Sequence, residues 1–191
     1  MTKTRLEAFS DAVIAIIITI MVLELRVPHG SDWTALRPLL HPFLTYVLSF
    51  IYLGIYWNNH HHMLHAAQRV NGRILWANLH LLFWLSLVPF VTGWMGENNV
   101  APEPTALYGV VMLGAAIAYT MLQGSIVRHH GRDSGLAVAV GRDLKGKLSL
   151  AAYALAIPLA FVDRWISVAI YVLVASSWFI PDRRIESRMD R

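Results

Sequence analysis

The sequence predicts an all-α membrane protein whose chain crosses the bilayer six times. Three observations predict this fold class: an apolar composition, a series of long apolar segments, and the placement of basic residues between them. Of the 191 residues, 56% are hydrophobic and only 15% are charged, whereas soluble domains carry about 25% charged residues. A chain with so few charges is expected to be solvated mostly by lipid.

The apolar segments have the length that a membrane crossing requires. At a rise of 1.5 Å per residue, about 20 helical residues span the ~30 Å hydrocarbon core of a bilayer, and the first four segments reach that length. The last two are shorter, and two slightly mismatched spans are favoured over a re-entrant pair. The predicted spans are residues 8–27, 38–63, 73–95, 105–127, 147–162 and 165–180. No long linker interrupts them, so we expect residues 1–191 to form a single six-span domain.

The first segment is too long for the apolar region of a cleavable signal peptide, so we expect it to be retained as a span.

The basic residues support six spans with the N-terminus inside. On that topology thirteen Lys and Arg residues lie in inner segments: Lys3, Arg5, Arg69, Arg73, Arg128, Arg132, Arg142, Lys145, Lys147, Arg183, Arg184, Arg188 and Arg191. The outer segments hold only three: Arg26, Arg37 and Arg164. This bias is typical of multi-span proteins and predicts that both termini are cytoplasmic. It also explains the net charge of +4 without a nucleic-acid partner.

The sequence lacks the motifs of enzymes and of thiolate metal sites. It contains no cysteine, which excludes disulfides, Cys nucleophiles and Cys-ligated metals. It also contains no Gly-rich phosphate loop, no His-Glu-x-x-His motif and no credible catalytic triad. We therefore expect a protein that is not an enzyme and that carries no cofactor.

The first span is amphiphilic in an unusual way. Between Ala12 and Leu23 only Thr19 carries a polar side-chain atom. At 100° per residue, six residues fall on a stripe about 100° wide: Ala12, Ile16, Thr19, Ile20, Leu23 and Val27. Such a stripe is compatible with a pore wall and equally with lipid contact, and the threonine can satisfy itself by bonding a backbone carbonyl one turn back.

Ser10 and Asp11 lie on the side of the first span opposite the stripe. A charge at the end of a span is costly unless it is paired, hydrated or hydrogen-bonded. Partners for Asp11 occur at matching depth in the second and third spans, namely Trp57, His60 and Asn78. We expect these side chains to clamp the first three helices together. Arg5 is expected either to reach this cluster or to extend to the inner headgroups.

A histidine cluster ends the second span. His61 and His65, or His62 and His65, share a helical face and have the spacing of zinc ligands, while His60 stands apart from them. No carboxylate lies nearby in sequence, so a hydrated helix end is favoured over a metal site. A secondary transporter of metal cations that uses His60–His65 is the alternative function left open by this cluster.

Several motifs together resemble those of one channel family. The string Arg5-x-x-x-Phe9-Ser10-Asp11 opens the first span, Trp57-x-x-His60 ends the second, and Asn78 and Pro89-Phe90 lie in the third. These motifs, together with the six-span layout, resemble the lysosomal potassium-leak channels and their prokaryotic homologues over essentially the whole chain.

The resemblance implies a potassium-selective leak channel without the usual carbonyl filter, permeable also to protons. It further implies a homotetramer in a prokaryotic cell membrane, with the first helix of each subunit lining the pore. By position relative to the family motif, Ile16 forms the constriction, Thr19 the hydroxyl layer, and Ile20 and Leu23 further apolar layers. The signature residues Arg5, Phe9, Ser10, Asp11, Trp57, His60 and Asn78 are expected to form a structural network, and K⁺ is the expected permeant ion.

Overall fold

The computed structural model describes residues 2–67, 69–130 and 143–179, and all regular elements in these ranges are helical. A short 3₁₀ segment, Trp33–Leu39, precedes the second helix. The α-helices are α1 (Lys3–Leu23), α2 (Leu40–Ala66), α3 (Gly72–Ser86), α4 (Val88–Glu97), α5 (Pro102–His130), α6 (Leu144–Leu159) and α7 (Arg164–Phe179).

Among the residues that the structure describes, four helical stretches are long and apolar enough to cross a membrane: Lys3–Leu23, Trp33–Ala66, Gly72–Glu97 and Pro102–His130. The two remaining helices, α6 and α7, have 16 residues each. A helix of that length extends about 24 Å, slightly less than the hydrocarbon core. The six-span count therefore remains a prediction. Residue 180 and six of the thirteen inner basic residues lie outside the described ranges.

Most helix boundaries differ from the predicted spans by a few residues, and two differences bear on the arrangement of the site. α1 ends at Leu23 rather than at residue 27, because Pro28 and Gly30, whose φ is +147°, follow it in a non-helical segment. The predicted third span is two helices that meet at Leu87. Pro89 lies in the first turn of α4, where its missing N–H and its ring are tolerated.

Helix α5 is the centre of the bundle and packs against neighbours through small residues. The indole ring of Trp84 on α3 lies directly over Gly114, and the Tyr171 hydroxyl of α7 lies over Gly109. Because lipid tails are as apolar as leucine, helices in a membrane associate mainly through close packing and hydrogen bonds, and small residues permit both.

Hydroxyl groups join the helices around this centre. The Ser49 hydroxyl lies 2.7 Å from the Thr92 hydroxyl and 3.1 Å from the Tyr108 hydroxyl. The Tyr52 hydroxyl donates to the Tyr171 carbonyl at 2.6 Å, which connects α2 to α7. Polar groups with no access to water must be satisfied inside the protein, so these bonds fix how the helices are placed against one another.

A glycine pair on α5 tests the importance of close packing. A Cβ at Gly114 would overlap the Trp84 ring, whereas a Cβ at Gly124 would meet nothing within 4 Å. The indole cannot easily move away, because its Nε1–H donates to His80 Nε2 at 3.0 Å. We expect Gly114→Ala to destabilise the fold by about 1–3 kcal/mol and to lower the thermal unfolding temperature in detergent by about 2–4 °C per kcal/mol.

The matched control is Gly124→Ala on the same helix, which gains helix propensity without a clash. It is expected to unfold at or above the wild-type temperature. Equal unfolding temperatures for the two variants would contradict the packing argument.

Candidate functional site

Helix α1 has one buried face and one exposed face. The buried residues are Leu6, Ser10, Ile14, Ile17 and Met21. Their spacing of three or four residues places them on one side of the helix, which packs against α2, α3 and α4. The side chains of Ile14 and Ile17 are only 1% and 4% exposed, so the rest of the subunit covers this side of α1.

The predicted stripe lies on the exposed face. Ile16 is 58% exposed and Leu23 is 76% exposed, and Ala12, Thr19 and Ile20 are exposed as well. Val27 does not belong to the stripe, because α1 ends at Leu23 and the helical periodicity used to place Val27 does not extend that far. The subunit thus presents a continuous apolar surface with one hydroxyl group.

The hydroxyl of Thr19 is held in a defined orientation. It donates to the Ala15 carbonyl at 2.8 Å, one turn back along α1. The hydroxyl hydrogen is therefore bonded to the backbone, whereas the lone pairs of the oxygen remain available. On the exposed face, the lone pairs of this oxygen can therefore accept a hydrogen bond.

A buried chain of hydrogen bonds holds the other face of α1. The Asn78 amide donates from Nδ2 to Ser10 Oγ at 2.9 Å, and its Oδ1 lies 2.7 Å from His60 Nε2. Since an amide oxygen only accepts, His60 donates from Nε2. Ser10 in turn donates to the Leu6 carbonyl at 2.8 Å. The side chains of Ser10, His60 and Asn78 in this network are 0–1% exposed, and they join α1, α2 and α3.

Asp11 has one of its three predicted partners. Trp57 Nε1 donates to Asp11 Oδ1 at 3.0 Å, whereas His60 bonds to Asn78, and Asn78 bonds to Ser10. The reason is geometric: residues 10 and 11 point about 100° apart on a helix. Ser10 therefore faces the buried junction with α3, and Asp11 faces the half-exposed edge of α2 where Trp57 lies.

The motifs place Ser10 in the expected signature network but do not specify its hydrogen-bond partner. A hydroxyl at the start of an apolar span, at the depth of an asparagine in another span, is a signal for an interhelical hydrogen bond.

Arg5 and Phe9 do not reach this network. Both are exposed and lie on the same side of α1 as Ala12 and Ile16. In the described ranges, no hydrogen bond or ion pair involves Arg5. The start of α1 is instead tied to α2 by Lys3, which donates to the His65 carbonyl at 2.9 Å and lies 3.7 Å from Glu7.

The histidine side chains at the end of α2 pack on one another. His61 stacks on His65 with ring centroids 6.2 Å apart and lies edge-on to His62 at 5.6 Å. Among the residues that the structure describes, no group of three or more His, Cys, Asp or Glu side chains is placed to hold a metal ion. His60 is turned away and bonded to Asn78.

Comparison with known proteins identifies the family. The family model described as endosomal/lysosomal potassium channel TMEM175 matches residues 5–89. A potassium channel of Chryseobacterium sp. (strain P1-3) is 54% identical over 189 residues, which are 99% of this chain and 98% of the relative. A potassium channel of Streptomyces collinus is 32% identical over 182 residues, covering 90% of this chain and 88% of the relative.

A solved structure shares the fold. The crystal structure of a lysosomal potassium-selective channel TMEM175 homolog from Chamaesiphon minutus superposes with a TM-score of 0.82 and 27% identity. The match covers 93% of this chain and 96% of that one. With a relative that is 54% identical along nearly its whole length, this chain belongs to the TMEM175 family of ion channels.

Proposed function

We propose that this protein is a potassium-selective leak channel in which four copies of the chain meet about a common axis, with α1 of each copy lining the pore. One observation carries the proposal: the subunit buries one face of α1 and leaves exposed a stripe of branched apolar residues with a single hydroxyl. The names of its bacterial relatives, both potassium channels, supply the permeant ion.

The narrowest part of the proposed pore is made by Ile16. Four isoleucine side chains around an axis form an apolar neck, and such necks gate by dewetting because water and ions leave a narrow apolar passage. Ile20 and Leu23 extend the apolar wall toward the outer mouth. A cation that crosses the neck must shed part of its hydration shell.

Thr19 supplies oxygen atoms next to that neck. Because its hydrogen is bonded to the Ala15 carbonyl, each of the four hydroxyls turns an acceptor toward the axis. These oxygens replace part of the lost hydration. K⁺ is favoured over Na⁺ because the larger ion costs less to dehydrate, and transient water chains through the neck allow a proton leak.

We also infer how the protein is placed in the membrane. Six helices of each subunit cross the plasma membrane of a prokaryote as a single domain, with both termini in the cytoplasm. The channel needs no metal or organic cofactor, and its ligands are permeant monovalent cations. The excess of basic residues in the inner segments supports this orientation.

The direct test is ion flux through purified protein in lipid vesicles. A K⁺ gradient opposed by Na⁺ is expected to give a reversal potential biased toward K⁺, and a mass measurement of the same sample is expected to give four subunits. An absence of conductance would refute the channel, and a reversal potential at zero would refute its selectivity for K⁺. A different subunit count would refute the tetramer alone.

The apolar neck predicts the effect of a polar substitution. Ile16→Asn is expected to raise the conductance and to reduce the K⁺/Na⁺ permeability ratio, because an amide wets the neck and removes the dehydration step. Currents under bi-ionic K⁺/Na⁺ conditions measure both quantities. Val22→Asn is the matched control, since Val22 is also exposed on α1 (44%) but lies off the stripe. The assignment of the neck fails if the two variants behave alike.

The hydroxyl layer predicts a difference between two conservative substitutions. Thr19→Val keeps the shape and removes the oxygen, and we expect about a five-fold loss of K⁺ conductance, which corresponds to about 1 kcal/mol of lost coordination. Thr19→Ser keeps the oxygen and is expected to conduct like the wild type. Equal currents for Val and Ser at this position would exclude Thr19 as an ion ligand.

The contact between Asp11 and Trp57 predicts a structural role for this carboxylate. Asp11→Ala is expected to lower stability by about 1 kcal/mol, seen as an unfolding temperature lower by about 2–4 °C, and to reduce the tetramer fraction. Asp32→Ala, at an exposed acid, is the control and should leave both unchanged. A fully assembled Asp11→Ala tetramer with wild-type thermal stability would contradict the clamp.

A further inference from the structure

An apolar groove lies between α2 and α7, away from the stripe of α1. It encloses about 370 Å³. One wall is formed on α2 by Leu44 and Leu48, and the other on α7 by Val168, Val172 and Ala175. The side chains of α7 at these positions are small or branched close to the backbone, so they leave space that larger residues would fill.

On the core side of the groove a hydrogen bond joins the two helices. There the Tyr52 hydroxyl donates to the Tyr171 carbonyl at 2.6 Å, and Tyr171 itself is fully buried. Val172, the next residue on α7, is 45% exposed because it lines the groove. The hydrogen bond therefore fixes the depth of the groove, and the short side chains keep it open on the outer side.

The groove has the length of a lipid tail. It extends along α7 from Trp165 to Phe179, and fourteen residues at 1.5 Å each give about 21 Å. One leaflet of the ~30 Å hydrocarbon core is about 15 Å deep. A single extended acyl chain can thus lie along the groove for the full depth of its leaflet.

One end of the groove carries groups that suit a phosphate. His41 and Trp165 line this end, and the Arg164 guanidinium lies 5.7 Å from the centre of the Trp165 ring. The neighbouring Asp163 caps the start of α7, since its Oδ1 accepts from the Trp165 N–H at 2.9 Å. Within the described part of the chain no ion pair engages Arg164, so its planar fork remains available for a bidentate phosphate contact.

We propose that this groove binds one phospholipid of the surrounding bilayer per subunit, with an acyl chain between α2 and α7 and the phosphate on Arg164 beside Trp165. An apolar groove gains no hydrophobic free energy by taking a tail out of lipid, because the tail was already in an apolar solvent. Selective retention must therefore come from close packing in the groove and from the charged contact at its end. The groove is separate from the proposed pore, and lipid binding there does not depend on the proposed function.

The test counts lipids on the intact protein. Protein purified in a mild detergent is delipidated, incubated with phosphatidylglycerol, and weighed by native mass spectrometry. The wild type is expected to retain one phospholipid per subunit. Val172→Trp fills the groove and is expected to abolish that retention. Leu173→Trp makes a similar change at a residue that is 68% exposed and does not line the groove, and it should retain the lipid.

The headgroup contact is tested separately. Arg164→Gln is expected to weaken phosphatidylglycerol binding about ten-fold, as the loss of a charge-assisted hydrogen bond predicts. Diacylglycerol, which has the tails without the phosphate, should bind wild type and Arg164→Gln equally weakly. Should Val172→Trp fail to fold, Ser176→Phe fills the same groove.

Three results would overturn the proposal: no retained lipid on the wild type, equal retention by the Val172 and Leu173 variants, or a fall in subunit number with Val172→Trp. The last would mean that a second copy of the chain occupies the groove.

Discussion

The rotation of α1 about its own axis depends on one buried hydrogen bond, from the Asn78 amide to Ser10. Both groups are fully buried, and an amide left without a partner in an apolar interior costs several kcal/mol. Any rotation of α1 that moved Ser10 away from α3 would break this bond. Since each residue advances 100°, fixing Ser10 toward α3 also fixes Ile16 and Leu23 away from the subunit core.

The residue types of the signature follow from this constraint. Ser10 has a side chain short enough for the Asn78 amide to approach the backbone of α1 and still find an acceptor. His60 then binds the amide oxygen, so that no polar atom of Asn78 remains unpaired. Asp11 carries a charge that would be costly at this depth. It instead lies at the edge of the subunit, where the Trp57 indole provides a donor and the carboxylate keeps access to the surface.

Sequence periodicity located the stripe but could not show which face of α1 packs inward. Ile14 and Ile16 have the same side chain and the same hydropathy, yet one is 1% exposed and the other 58%. The difference arises from partners on other helices, which a helical wheel does not contain. The end of α1 was misplaced at Val27 because Leu25 and Val27 are apolar although charged residues alternate with them, while Pro28 and Gly30 follow in a non-helical segment. The apolar composition, in contrast, was sufficient to predict an all-helical chain with long apolar helices. The share of apolar residues reflects the solvent around the chain and does not depend on which helices pack together.

The two faces of α1 have different physical roles. Association of the four proposed stripes moves Ile16 and Leu23 from contact with lipid to contact with one another or with pore water. Lipid is already an apolar solvent, so contact among the stripes adds little free energy to the assembly, and contact with pore water is unfavourable. The stability of the subunit depends instead on the opposite face, through the hydrogen bonds of Ser10 and Asn78 and the packing of Ile14 and Ile17. In the proposed pore the stripe is therefore free to set the width and the wetting, since changes in its side-chain volume would alter conduction at little cost to the fold.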